Sequence, residues 1–133
     1  MSTNIMTAPT LPASTAFRGL TNWMATLIDY VRSGEPDLTN RQMALLLVVY
    51  LQSGPHTVRG LASSLKVSKP VVTRALNRLG SLGYLRRQRD ESDKRNIYVV
   101  RTAEGAEFLE QFEHFIGTDS APQPAHIQRH SVA

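Results

Sequence analysis

Apolar side chains recur along this chain with two different periods, and the switches between them mark out its elements. Phe17, Leu20, Met24, Leu27 and Val31 follow one another at steps of three and four, with Trp23 and Ile28 widening the stripe. That spacing predicts an amphipathic helix, which Ser33-Gly34 ends before Pro36 closes the connection. A second helix is predicted from Thr39, whose hydroxyl can cap the backbone while Gln42 reaches back, the arrangement of a capping box. Its body from Met43 to Leu51 is almost wholly apolar, which implies burial on most sides, and it should run to Ser53 before Gly54 and Pro55 stop it. Thr57 offers a cap to a short third helix carrying Val58, Leu61, Ala62 and Leu65, with Lys66-Val67 as the tight turn after it. Ser68 caps a fourth helix, where Pro70 is tolerated because donors of the first turn need no partner inside the helix. On a helical wheel Val72, Ala75, Leu76 and Leu79 converge inward, leaving Pro70, Arg74 and Asn77 opposite and Val71, Thr73 and Arg78 on the flanks.

The period then shortens. After Gly83, Tyr84-Leu85-Arg86-Arg87 reads as a strand, residues 90–94 as a turn and residues 96–100 as the returning strand. A fifth helix starts at the Thr102 cap, with Phe108, Leu109, Phe112, Phe115 and Ile116 on one face and Glu104, Glu107, Glu110 and Glu113 outside it. The expected fold is therefore mainly α with a small β-hairpin wing, a winged helix-turn-helix over residues 15–117. Residues 1–14 are rich in Ser, Thr, Ala and Pro and carry no periodic apolar pattern, so a disordered N-terminal tail is expected there. Residues 118–133 are polar with prolines at 122 and 124, and a flexible C-terminal tail is expected.

Charge changes the picture more than composition does. The net charge of the 133 residues is only +4, but residues 57–101 hold eleven basic residues against three acids, a net +8. Residues 1–56 are neutral and residues 102–133 are acidic. Positive charge confined to the helix-and-hairpin third of the chain is the footprint a polyanion requires. The fourth helix could enter a major groove, where Arg pairs with guanine O6/N7 and Asn with adenine N6/N7. The ribbon tip could reach a neighbouring minor groove, with Arg95 inserted and Asp93 orienting its guanidinium through paired hydrogen bonds. The residues expected to bind DNA are thus Thr57, Arg59, Ser68, Lys69, Pro70, Val71, Thr73, Arg74, Asn77, Arg78, Arg86, Asp93, Lys94 and Arg95. Without a nucleic-acid partner the same positions would be an ordinary solvated polar face.

With these elements in order, the chain resembles the MarR family of bacterial winged-helix transcription regulators over residues 15–117. Leu38-Thr39-Asn40-Arg41-Gln42 resembles the family's Leu-Thr-x-x-Gln helix start, Ser68 to Leu79 its recognition helix, and Gly83-Tyr84-Leu85 its exit into the wing. Asp93-Lys94-Arg95, then Val99 and Thr102-Ala103-Glu104-Gly105, is similar to its wing signature. The resemblance implies major-groove base contacts from Pro70 and Arg74 and a minor-groove role for Arg95 held by Asp93. Arg101 stands where the family pattern has Leu, which adds charge near the base of the sheet and offers a phosphate contact. Family members continue through a long helix and a further terminal helix; here the chain turns polar after Gly117.

Two apolar stripes exceed what a domain of this size readily covers, so a homodimer is expected through Phe17, Leu20, Met24, Leu27, Val31, Phe108, Phe112, Phe115 and Ile116. The alternative is that the stripes pack on each other within one chain. The resemblance also implies a small-molecule effector of unknown identity. Trp23, Tyr30, Tyr50 and Phe108 could line its pocket or be ordinary core.

Other chemistry finds little footing. The chain has no cysteine, hence no disulfide or thiolate metal site, which fits a reducing compartment. It has no Lys or Arg before Arg18 and no long apolar segment at its start, so it does not read as a secretion signal. His126 and His130 have helical ligand spacing without a nearby acid, and His114 stands apart, so no metal site and no cofactor is expected. No nucleophile–base arrangement or Gly-rich phosphate loop points to an enzyme. The leading expectation is a cytoplasmic, nucleoid-associated, sequence-specific regulator of bacterial transcription, a repressor that acts as a dimer. A winged helix that meets an acidic protein partner, and a nucleoid-type binder with little base preference, are the alternatives.

Overall fold

A computed structural model describes residues 15–116. They fall into two compact units, one of residues 36–113 and the other of residues 15–35 with 114–116.

In the second unit, a short 3-10 turn at Thr15–Phe17 leads into α1 (Arg18–Ser33). Gly34 ends α1 at φ 77°, the left-handed region that costs a glycine nothing, and its amide returns to the Val31 carbonyl. Thr26 is buried and its hydroxyl donates to the carbonyls of Asn22 and Phe115, each 3.1 Å away. Tyr30, also buried, packs against Phe115 with ring centroids 6.3 Å apart. The stripe predicted from the sequence stands in the open: Leu20, Trp23, Met24, Leu27, Ile28 and Val31 are all exposed, Val31 to 74%.

The first unit runs α2 (Asn40–Leu51), β1 (His56–Thr57), α3 (Val58–Leu65), α4 (Lys69–Ser81), β2 (Leu85–Arg89), β3 (Ile97–Arg101) and most of α5 (Ala103–Phe115). The α2 capping box forms in both directions, Gln42 N to Thr39 Oγ1 at 3.1 Å and Thr39 N to Gln42 Oε1 at 2.9 Å. The Thr57 hydroxyl accepts the Gly60 amide at 2.9 Å to start α3, and that of Ser68 accepts the Val71 amide at 3.4 Å to start α4. Between these helices Lys66 takes the left-handed conformation, φ 57°, while its amide and that of Val67 return to the Ser63 and Ala62 carbonyls. This turn sets the angle at which α4 leaves α3.

The three strands form one antiparallel sheet in the order β1-β3-β2, with Leu85 opposite Arg101 and Arg89 opposite Ile97 in the hairpin. β1 was not anticipated. Two residues after a proline are too few to show a period, and the strand exists because His56 and Thr57 find Val99 and Tyr98 across from them. Leu45, Leu46, Val49, Leu61, Val72, Leu76 and Leu79 make the core, each at most 1% exposed.

The apolar body of α2 is buried or half-buried from Met43 to Tyr50, with Leu45, Leu46 and Val49 at most 1% exposed, and only its last residue, Leu51, is exposed, to 75%, because it projects about 200° around the helix from Val49. One expectation is corrected here. Phe108 and Phe112 are not free for a partner chain. Both are buried, and Phe108 stacks on Tyr84 with centroids 4.6 Å apart, because Tyr84 at the head of the hairpin presents a ring that α5 covers.

Candidate nucleic-acid interface

α4 is an amphipathic helix whose polar half is basic. Val72, Ala75, Leu76 and Leu79 are buried as the wheel predicts, Val71 and Thr73 are half-buried, and Lys69, Pro70, Arg74, Asn77 and Arg78 are exposed. No acid occupies its first turn. The positive end of the helix dipole and Lys69 therefore add to one positive potential. Arg59 of α3 and Arg86 of β2 are exposed as well. Among the described residues none of Arg59, Lys69, Arg74, Arg78 or Arg86 has an acidic partner within 4.0 Å. Such charges lower the energy of a protein surface only when an anion arrives from outside it.

The predicted residues differ in what their side chains have left to offer. The Thr57 and Ser68 hydroxyls are engaged as helix caps. Asn77, expected to present a free amide, accepts a hydrogen bond from Arg87 Nη2 to its Oδ1 at 2.7 Å. That bond joins β2 to the outward stripe of α4. Arg87 was not singled out from the sequence, although the alternation along β2 carries a signal: two positions from buried Leu85, it shares that residue's helix-facing side of the strand.

The wing tip is built on two acids. Asp93 Oδ1 accepts from the Arg95 amide at 3.1 Å and from Arg95 Nε at 3.2 Å, while the Arg95 side chain remains 87% exposed. Asp90 was missed, yet it makes more bonds. Its Oδ1 accepts the Ser92 amide at 3.0 Å and the Ser92 hydroxyl at 2.8 Å, and its Oδ2 lies 3.4 Å from both Asn96 Nδ2 and the Tyr98 hydroxyl. The Ser92 hydroxyl above all, then the Ser92 amide, hold the Asp90 carboxyl below its ordinary pKa. The signal available in the sequence was Asp90-x-Ser92, an Asx turn. Arg89 Nη1 donates to the Lys94 carbonyl at 2.9 Å, and Lys94 is exposed.

Arg101 does not reach for phosphate. Its Nε donates to the Val49 carbonyl at 2.9 Å and its Nη2 to the Gln52 carbonyl at 3.3 Å, with the guanidinium 5.8 Å from the centre of the Tyr50 ring. α2 has no basic residue in its last turn, so β3 supplies the cation that the carbonyl end of that helix attracts.

The aromatics considered for an effector pocket have other work. The Tyr50 hydroxyl accepts the Thr102 amide at 2.9 Å and places its proton between the Tyr84 and Thr102 carbonyls, at 2.8 and 3.0 Å. Phe108 stacks on Tyr84, Tyr30 is buried beside Phe115, and Trp23 lies exposed on α1. A recess of about 250 Å³ opens instead between the starts of α2 and α4, lined by Arg41, Ala44, Leu45, Leu65, Val67 and Val71 among others. Among the described residues no three His, Cys, Asp or Glu side chains gather to hold a metal, and His126 and His130 lie outside those residues, as do both predicted tails. No described helix is long and apolar enough to cross a membrane.

Residues 38–97 match the model of the MarR family. No curated protein matches the chain. Among solved structures the chain is similar to the transcriptional regulator Tm0710 from Thermotoga maritima, at 29% identity over 74% of this chain and 68% of that one, with a TM-score of 0.59. It is similar in fold to a mutant of MepR from S. aureus, at 20% identity over 92% of this chain and 94% of that one, with a TM-score of 0.65. It is also similar in fold to Streptococcus pneumoniae FabT in complex with DNA, at 22% identity over 75% of this chain and 71% of that one, with a TM-score of 0.58.

Proposed function

We propose, from the match of residues 38–97 to the model of the MarR family, that the chain is a sequence-specific regulator of transcription that binds duplex DNA as a homodimer and represses by occluding a promoter. The observation that carries the reading is the joined helix and wing: α4 turns Lys69, Arg74 and Arg78 outward without acidic partners, and the Arg87–Asn77 bond fastens the hairpin beside them. Lys69, Pro70, Arg74 and Asn77 face the major groove, with Val71 and Thr73 on the flanks for thymine methyls. Arg95, held by Asp93, enters the minor groove. Arg59, Arg78, Arg86 and Lys94 take phosphates, while the Thr57 and Ser68 hydroxyls hold the Gly60 and Val71 amides of the helix starts. FabT, which shares this fold, is itself in complex with DNA.

The exposed α1 stripe, Leu20, Met24, Leu27 and Val31 with Phe17, Phe115 and Ile116 beside it in sequence or unit, is the self-association surface in this reading. Two copies would space their α4 helices about 34–36 Å apart on a pseudo-palindromic operator. Such a dimer works in the bacterial cytoplasm, on the nucleoid. An unidentified small-molecule effector belongs to the proposal, and the recess against the start of α4 is where a ligand would bear directly on the reading helix.

The test is selection of bound duplexes from a random-sequence library, followed by Arg74→Ala on the selected operator. The expected loss is about 1–3 kcal/mol on that operator, with little change on random duplex. A small, uniform loss on every duplex would favour a nucleoid-type binder. Absence of binding to any duplex at moderate salt would favour a winged helix that meets an acidic protein.

A further inference from the structure

From the 2.7 Å bond between Arg87 Nη2 and Asn77 Oδ1 we infer that Arg87 sets the base preference of the α4 reading face, by turning Asn77 from an adenine reader into one that presents donors only. The inference rests on the DNA-binding reading above.

An arginine side chain has donors and no acceptor, so its partner on Asn77 must be the amide oxygen. The bond thereby settles which way the Asn77 amide is turned, with Oδ1 toward β2 and Nδ2 away from it. Asn77 stands one turn from Arg74 on the exposed stripe of α4, and Arg87 is exposed beside it. Free asparagine recognises adenine with both ends of its amide: Nδ2 donates to N7 while Oδ1 accepts from the N6 amino group. Here Oδ1 is already held by a cation through a charge-assisted bond, a class roughly twice as strong as a neutral one. The second lone pair of Oδ1 survives, but an amino hydrogen approaching it meets the guanidinium's positive charge within one hydrogen-bond length. What Asn77 then offers outward is its Nδ2 amino group, a donor only. A donor-only edge fits guanine, whose major-groove N7 and O6 both accept, and repels adenine, whose N6 donates.

The geometry follows from the fold. Leu85 and Arg87 share one side of β2, and Leu85 is buried, so the strand alternation puts Arg87, itself exposed, on the side that faces α4. Arg87 is thus a positioning residue: it acts on DNA through Asn77.

The experiment uses the full chain and duplexes selected from a random-sequence library, then a panel in which each operator position carries each of the four bases. The variants are Arg87→Met, which keeps the apolar stem, Asn77→Ala, and the two combined. In the parent, the position whose preference Asn77→Ala abolishes should favour guanine over adenine by roughly 5- to 150-fold. Arg87→Met should move that one position toward adenine by about tenfold while leaving preferences elsewhere unchanged. In the Asn77→Ala background Arg87→Met should alter no base preference. The inference is overturned if the parent prefers adenine there, or if Arg87→Met weakens all duplexes alike and lowers the salt slope by about one, the mark of a phosphate contact. Parent protein that binds no duplex would overturn the DNA reading itself, a result distinct from either.

Discussion

Asp90 ties the wing tip together, and its protonation state is therefore a structural variable. The carboxylate accepts from the Ser92 amide and hydroxyl and faces Asn96 and Tyr98, and these bonds, strongest to the ionised form, lower its pKa below the ordinary 3.8. A carboxyl whose folded pKa is depressed stabilises the fold above its unfolded value and loses that contribution as pH falls through the folded value. Protection of the Ser92 amide, taken relative to its intrinsic exchange rate at each pH, should accordingly stay constant from neutral pH down to about pH 4 and fall below it. Asp90→Ala should raise exchange at Ser92 already at neutral pH; unchanged exchange in that variant would remove Asp90 from this role. Gly105 answers a different demand. A Cβ there would overlap the Tyr50 hydroxyl and the Tyr84 carbonyl, and both are held by the hydrogen bonds that link α2, the head of β2 and the start of α5. Gly105→Ala should destabilise the protein by about 2–4 kcal/mol, from overpacking plus a strained buried bond, read from the urea midpoint.

Among the elements, α2 shows how one segment completes another. Its N-terminus is closed locally, by Thr39 and Gln42, and its C-terminus from a distance, by Arg101 on β3. Arg101→Leu should lower stability by about 1–2 kcal/mol, less than a charged hydrogen bond and a helix-end charge would give together because the side chain is exposed to solvent. It should leave the salt slope of DNA binding unchanged, whereas loss of a phosphate contact would reduce that slope by about one. Helix starts were legible because a cap and its partner amide lie three residues apart in the chain. The role of Arg101 was not, because Val49 and Gln52 lie far from it in sequence and only the sheet brings them together. The same holds for β1, which becomes a strand only when β3 runs alongside it. It holds again for Asn77, whose partner is ten positions away on another element.

For the molecule as a whole, the decisive surface beyond the winged helix is α1. Exposed Leu20, Trp23, Met24, Leu27, Ile28 and Val31 on one helix form an apolar patch of the kind that marks association. On the proposed pairing of two copies through α1, Met24→Glu would bring two like charges into one symmetric contact. Sedimentation should then show a dimer for the parent and a monomer for the variant at the same concentration, with operator binding falling to that of a half-site. A variant as dimeric as the parent would show that α1 is not the contact. The parent's affinity for random duplex should also drop by about 10³–10⁵ between 50 and 200 mM salt if some 6–10 phosphates are neutralised.

Read alone, the sequence determined the helices, their caps, the hairpin, the inward face of α4 and the gathering of positive charge between residues 57 and 101. These are properties of neighbours in the chain: periodicity and capping act over three or four residues, and charge is additive whatever the fold. The tertiary structure decided which polar groups are spent and which are free. It drew Phe108 and Phe112 inward, gave Arg101 to a helix end and Arg87 to Asn77, because hydrogen bonds and ring contacts are short-ranged and select their partners only once distant segments meet.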